Sequence, residues 1–301
     1  MKKFRAVPLP EGWLKKTITY LLLLIIISAC SATLTNQSDN EELIPPTAVY
    51  YEIPYELKDI NKYADIMRSS SEHLNGRTVF IDPGSGGEDR YNSSRNGKVI
   101  EADINLNVSL YLRDFLQSSG AVVIMSRTND TTVSLETRSK MANDSKADLF
   151  ISIHHNSTSK SDDNWTNYTS TFYHANIGDY EYEPFEHTLA KYIQRDLSYA
   201  MRNSGGLGSF DGTISDFRLY PSEGLAVLRE TSIPSVLVEC SFFTNRLEEQ
   251  RLPIDDFNRI EGWGIFQGIA KMLSKGIPEF QLVREKSEFR RKNLSLHFDI
   301  L

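Results

Sequence analysis

Apolar positions fall along the chain in two rhythms. Short unbroken runs, Thr78–Asp82 (TVFID), Ala121–Met125 (AVVIM), Leu149–Ile153 and Ser235–Glu239 (SVLVE), have the length of buried strands, and Thr169–Tyr173 offers a further one. Between them apolar residues recur at helical spacing. Ile104, Leu106, Val108, Leu110, Leu112, Phe115 and Leu116 predict a core-facing helix over Asp103–Ser118. Ser134 is a suitable N-cap for a helix over Ser134–Lys146. Phe185–Asn203 reads as a long amphipathic helix and Asn258–Leu273 as a closing one, while residues 55–75 read as a short helix and a loop. Strands alternating with helices of this length predict an α/β fold: a mostly parallel central sheet flanked by helices on both faces, in a single domain over residues 55–275. The charged tail, residues 276–301, receives no assignment.

The N-terminus breaks this rhythm. Lys2, Lys3, Arg5, Lys15 and Lys16 precede an apolar run from Ile18 to Ile27, followed by Ser28-Ala29-Cys30. A basic flank, a short apolar run and small residues are the parts of a secretory signal. The run falls short of the about 20 apolar residues that a transmembrane helix needs. Ile27-Ser28-Ala29-Cys30 resembles the lipobox of bacterial lipoproteins, which implies a signal peptide over residues 1–29, a lipid-modified Cys30 and a membrane anchor. Ser31, in place of aspartate, then favours an outer-membrane address facing the periplasm. An ordinary signal peptide with a chance cysteine is the alternative. Residues 30–54 are polar and proline-containing and read as a tether.

Composition narrows the partners. Hydrophobic residues make up 40% of the 301, enough for a globular core, and 40 acidic against 33 basic residues give a net charge of -7. Nucleic acid is not an expected partner, since phosphate binding needs a basic surface. Two cysteines, Cys30 and Cys240, make no disulfide framework, and Cys240 reads as a buried thiol.

In open α/β sheets ligands bind beyond the carboxyl ends of the strands. There the first strand runs into Asp82-Pro83-Gly84-Ser85-Gly86-Gly87, the third into His154-His155-Asn156, and SVLV ends at Glu239; Glu101 lies close to the start of the first long helix. Imidazole plus carboxylate with an open position is the ligand set of catalytic zinc, and a further carboxylate is what activation of a metal-bound water requires. Each residue also has a plainer reading: Glu101 as a helix-dipole partner, His154 as a hydrogen-bonded strand end, Glu239 as an ion-pair partner of Arg229.

The blocks VFIDPGSGGED, IEADINLNVSLYLRDFL, SRTNDTTVSLETRSKMAN, ADLFISIHHN, LAKYIQRDL and AVLRETSIPSVLVECSFFTN, in this order from about Arg77 to Leu273, resemble the zinc-dependent N-acetylmuramoyl-L-alanine amidases of bacterial cell-wall metabolism. The resemblance implies a mixed, mainly parallel sheet between helices and a peptidoglycan hydrolase that cleaves the amide between N-acetylmuramic acid and L-alanine of the stem peptide. Carried over by motif, it implies Glu101 and His154 as zinc ligands, Glu239 as the catalytic glutamate and Asn156 as a residue shaping the substrate site. His155 falls where the family has a small residue.

The chain departs from the family at Ser85, which stands where the DPGHGG motif has its first histidine ligand. A serine hydroxyl is a poor zinc ligand. Glu88, Asp89 or His155 could replace it, the protein could be a catalytically impaired peptidoglycan-binding envelope lipoprotein, or the change could be confined to this sequence. Action on another amide is a third functional reading. The segment from about Trp165 to Ser215, with its SGGLGSFDG stretch, is expected to hold substrate or to cover the groove until a regulatory partner moves it.

Overall fold

The computed structural model describes residues 51–159, 162–175, 185–203 and 212–275. The signal, Cys30, most of the tether, the SGGLGSFDG stretch up to Asp211 and the tail lie outside the described residues. The elements run α1 (Tyr55–Lys58), α2 (Ile60–Leu74), β1 (Thr78–Pro83), α3 (Glu101–Ser118), β2 (Val122–Met125), α4 (Leu135–Ser145), β3 (Leu149–Asn156), β4 (Ser170–Tyr173), α5 (Phe185–Met201), β5 (Thr213–Ser215), α6 (Ala226–Arg229), β6 (Ser235–Phe242), α7 (Glu248–Arg251) and α8 (Asp255–Leu273).

One six-stranded sheet has the order β2-β1-β3-β6-β4-β5. β2, β1, β3 and β6 are mutually parallel, and β4 pairs antiparallel to β6 while running parallel to β5. The parallel strands are apolar on both faces because helices cover both. Val79, Ile81, Ile151, Ile153, Val236, Val238 and Cys240 meet residues of α2, α3, α5 and α8 in the larger core. Phe80, Phe150 and Leu237 face the other way, toward Ala142 of α4 and Val227 and Leu228 of α6. The two strand phenylalanines stack at 5.7 Å. α5 and α8 lie close enough that a Cβ on Gly268 would come within 2.5 Å of the Ile193 Cα. Cys240 is free and buried, as read from the sequence.

Two sequence expectations need correction. Residues 60–74 form a full helix and not a loop, because Asp59 caps it by accepting from the amides of Asn61 and Lys62 and because Met67 and Leu74 bury into the core. The strands β3 and β6 extend to Asn156 and Phe242, since each continues the ladder with the other beyond the end of its apolar run. Ser134 caps α4 as expected, its hydroxyl accepting from the Thr137 amide.

Candidate active site at the carboxyl rim of the sheet

The parallel ladder places His154 of β3 directly beside Glu239 of β6. Side chains alternate across a strand, so both stand on the face opposite Ile153, Val238 and Cys240. Glu101, the first residue of α3, reaches the same rim, and its Oε1 lies 3.1 Å from His154 Nδ1. The Glu101 carboxylate also accepts from Asn92 at 2.8 Å and from Asn105 at 3.1 Å. Burial favours the neutral Glu101 carboxyl, but the hydrogen bond and charge of His154, with the two amides, outweigh it and bring the group down to about 2. Burial pulls the His154 imidazole down, whereas the Glu101 bond and the charges of Glu101, Glu239 and Asp82 raise it on balance.

Glu239 is the opposite case. Its Oε2 is buried and has no hydrogen-bond partner among the described residues. Burial, with Glu101 adding repulsion, lifts this carboxyl to about 7 against the pull of His154. The hydroxyls of Ser170, its partner across the β4–β6 ladder, and of Ser241, two residues on, are buried and unpartnered too. Ser170 and Glu239 thus carry orphaned polar atoms at paired positions of adjacent strands, beside His154. Arg229 bonds Glu223 and Glu230, not Glu239. At the rim, Tyr168 rests on Phe242 with ring centroids 4.6 Å apart, and burial and the charge of Glu239 raise its phenol.

The turn after β1 lies against the imidazole: a Cβ on Gly84 would fall 2.1 Å from His154 Cε1, so only glycine fits there. Ser85 follows, buried, with φ of +57°. Two buried arginines hold this turn by its carbonyls. Arg138 donates to Pro83 at 2.7 Å, to Ser85 at 2.8 Å and to the Asp82 carboxylate at 2.6 Å. Arg127 donates to Pro83, Gly84 and Ala102, and burial with the nearby Arg138 lowers its guanidinium to about 10. Neither arginine, nor Asn105 or Asn92, was singled out from the sequence. Asn105 carried a signal, since it lies one helical turn after Glu101 on the same face.

The other expected residues separate. His155 points to the opposite face of the sheet from His154, where its two nitrogens meet Asn105 Oδ1 at 2.8 Å and Glu261 Oε1 at 3.0 Å. It is therefore no substitute ligand beside Ser85. Glu88 and Asp89 are exposed. Asn156 accepts from the amide of Ser157 at 2.7 Å and so closes its own strand end.

The sequence model of the Amidase_3 family, N-acetylmuramoyl-L-alanine amidase, matches residues 79–271. The chain belongs to this family. The match takes in β1 through most of α8, and with them every residue of the rim described above. The germination-specific N-acetylmuramoyl-L-alanine amidase of Bacillus subtilis is 30% identical over 220 residues, 68% of this chain and 84% of that protein. N-acetylmuramoyl-L-alanine amidase LytC of the same organism is 35% identical over 179 residues, 59% of this chain but 32% of LytC. Among solved structures, an N-acetylmuramoyl-L-alanine amidase of Clostridium difficile 630 superposes with a TM-score of 0.57 at 30% identity, covering 67% of this chain and all (100%) of that one. The CwlD amidase of Clostridioides difficile, solved in complex with the GerS lipoprotein, superposes with a TM-score of 0.55 at 27% identity, covering 66% of this chain and 100% of CwlD. In this amidase-family chain the expected α/β sandwich is present, with β4 and β5 reversed at one edge.

Proposed function

We propose that the chain hydrolyses the amide between N-acetylmuramic acid and L-alanine in peptidoglycan, with Glu239 moving the proton and with Glu101 and His154 holding a zinc ion. The observation that carries this reading is the pairing at the rim: a clamped Glu101–His154 couple beside a buried, unpartnered Glu239.

The donors fit zinc through two strong ligands. Glu101 Oε1 and His154 Nδ1 converge to 3.1 Å, a carboxylate and an imidazole of the types that hold zinc, and these two atoms would be its ligands. Ser85 offers a hydroxyl in place of the family's imidazole, so affinity is expected to be weaker than that of a complete set. When bound, the ion supplies Lewis acidity to the scissile carbonyl and makes the attacking water acidic near neutral pH.

Burial raises the Glu239 carboxyl in the metal-free site, the charge of a bound ion would bring it back down, and a carboxyl between these pulls can take the water's proton and give it back. The water oxygen bonds to the carbonyl carbon and the C–N bond breaks. The lactyl group is left as a carboxylic acid, and Glu239 passes the proton to the alanine nitrogen, which leaves as an amine. Arg127 and Arg138 hold the turn that keeps Gly84 against His154, and the His154 ring is fixed between that turn and Glu101.

Ser85 favours a second reading, a peptidoglycan-binding lipoprotein with little turnover. The two are separated by incubating zinc-loaded protein with purified cell wall: release of stem peptides supports the hydrolase, and sedimentation with the wall without release supports the binder. The N-terminal signal supports export, anchoring by a lipid on Cys30 and a place in the cell envelope facing the periplasm. The CwlD–GerS complex supports an accessory protein as a further partner.

A further inference from the structure

We propose that His155 and Glu261, acting through Asn105, are positioning residues that fix the Glu101 carboxylate; this deepens the zinc-amidase reading and rests on it. An unbroken line of buried hydrogen bonds connects the middle of α8 to the rim. Glu261 Oε1 lies 3.0 Å from His155 Nε2, His155 Nδ1 lies 2.8 Å from Asn105 Oδ1, and Asn105 Nδ2 lies 3.1 Å from Glu101 Oε1.

The direction of the line is fixed by chemistry. Asn105 Nδ2 faces two acceptors, Glu101 Oε1 and the Gly84 carbonyl at 3.2 Å. Its Oδ1 must therefore face His155, whose Nδ1 donates. Glu261, at 0% exposure, engages the remaining nitrogen and holds the ring in that orientation. The Asn105 amide cannot flip without breaking three bonds at once, so the face of Glu101 presented to His154 is set from the far side of the sheet. Packing alone does not require this arrangement. A buried polar pair is commonly replaced by apolar side chains of similar volume without loss of stability. Cys240 brings its sulfur within 4.8 Å of ligand atoms of His155 and Glu261, a set of donors that metals take. Both nitrogens of His155 are already committed to hydrogen bonds, which favours positioning over a second metal.

The test is the double variant His155→Leu/Glu261→Met, with Glu261→Gln as the conservative partner, since a glutamine amide can still engage His155. Three quantities are read: melting temperature, zinc affinity by competition with a chromogenic chelator, and exchange protection of the Asn105 side-chain amide by NMR. The expected result is an unchanged or higher melting temperature in the double variant, zinc binding weakened by about 10–100-fold, and loss of Asn105 protection, with affinity and protection kept in Glu261→Gln. Full affinity and protection in the folded double variant would overturn the proposal, as would a second zinc per chain that disappears in Cys240→Ala. If the double variant does not fold, Asn105→Leu severs the line one step later and is read by zinc affinity, with unchanged affinity counting against the proposal. If the parent protein binds no zinc, the metal reading fails, and Asn105 protection alone decides whether His155 and Glu261 hold the amide.

Discussion

Glu239 stands in register beside His154 on adjacent parallel strands, and its Oε2 is buried without a hydrogen-bond partner among the described residues. A carboxyl placed this way gains nothing for stability and is available for proton transfer. Glu239→Gln is expected to lower kcat/KM for wall hydrolysis by about 10²–10⁴-fold while leaving wall binding intact. In the zinc-loaded parent, kcat/KM is expected to rise with pH as the carboxyl ionises, over a window that the charge of the bound ion places below the about 7 of the metal-free site. A pH–rate profile without that acid limb counts against Glu239 as the base.

The same shift has a consequence for stability. In the native protein Glu239 keeps its proton to about 7, whereas an ordinary glutamate loses it near 4.5. The unfolded chain therefore binds fewer protons in that window, and stability falls as pH rises through it. In chelator, Glu239→Gln is expected to be more stable than the parent above pH 7, by on the order of 2–3 kcal/mol, with the difference closing toward pH 4.5. Urea titrations at several pH values read this directly.

If Ser85 stands at a ligand position of the proposed zinc site, a histidine there is expected to complete the set. The Ser85 φ of +57° lies in the left-handed region, which histidine enters more readily than most side chains. Ser85→His is expected to tighten zinc binding by at least about tenfold and to raise turnover, checked by chelator competition and peptide release.

Two substitutions test the turn. Gly84→Ala places a Cβ 2.1 Å from the His154 ring, so the imidazole must move off Glu101. Zinc binding is expected to fall, together with about 1–3 kcal/mol of stability. Arg138→Met leaves the Asp82 carboxylate buried with only the hydroxyls of Ser126 and Ser152. A loss of about 3–5 kcal/mol is expected by urea unfolding.

The parts of this site that were legible in the sequence are those carried by local pattern. Apolar runs gave β1, β3 and β6, and the rule that ligands gather at strand ends brought Glu101, His154 and Glu239 to one rim. What was hidden depends on contacts between distant segments. The apolar run of β3 stops at Ile153, yet pairing with β6 carries the strand on to Asn156. Arg127 and Arg138 look like surface charges in a polar stretch, and only the fold shows them buried against the carbonyls of Pro83, Gly84 and Ser85. His155 looked available beside His154 because adjacency along a strand conceals that neighbours face opposite sides. Glu261 sits in an apolar helix pattern, and its partner lies 106 residues away.

The most direct test is mass spectrometry of the soluble products when purified peptidoglycan is incubated with zinc-loaded protein. The account expects stem peptides with a free amine on L-alanine, absent with Glu239→Gln and more abundant with Ser85→His. Absence of such peptides from both the parent and Ser85→His, with zinc bound at Glu101 and His154, would contradict it.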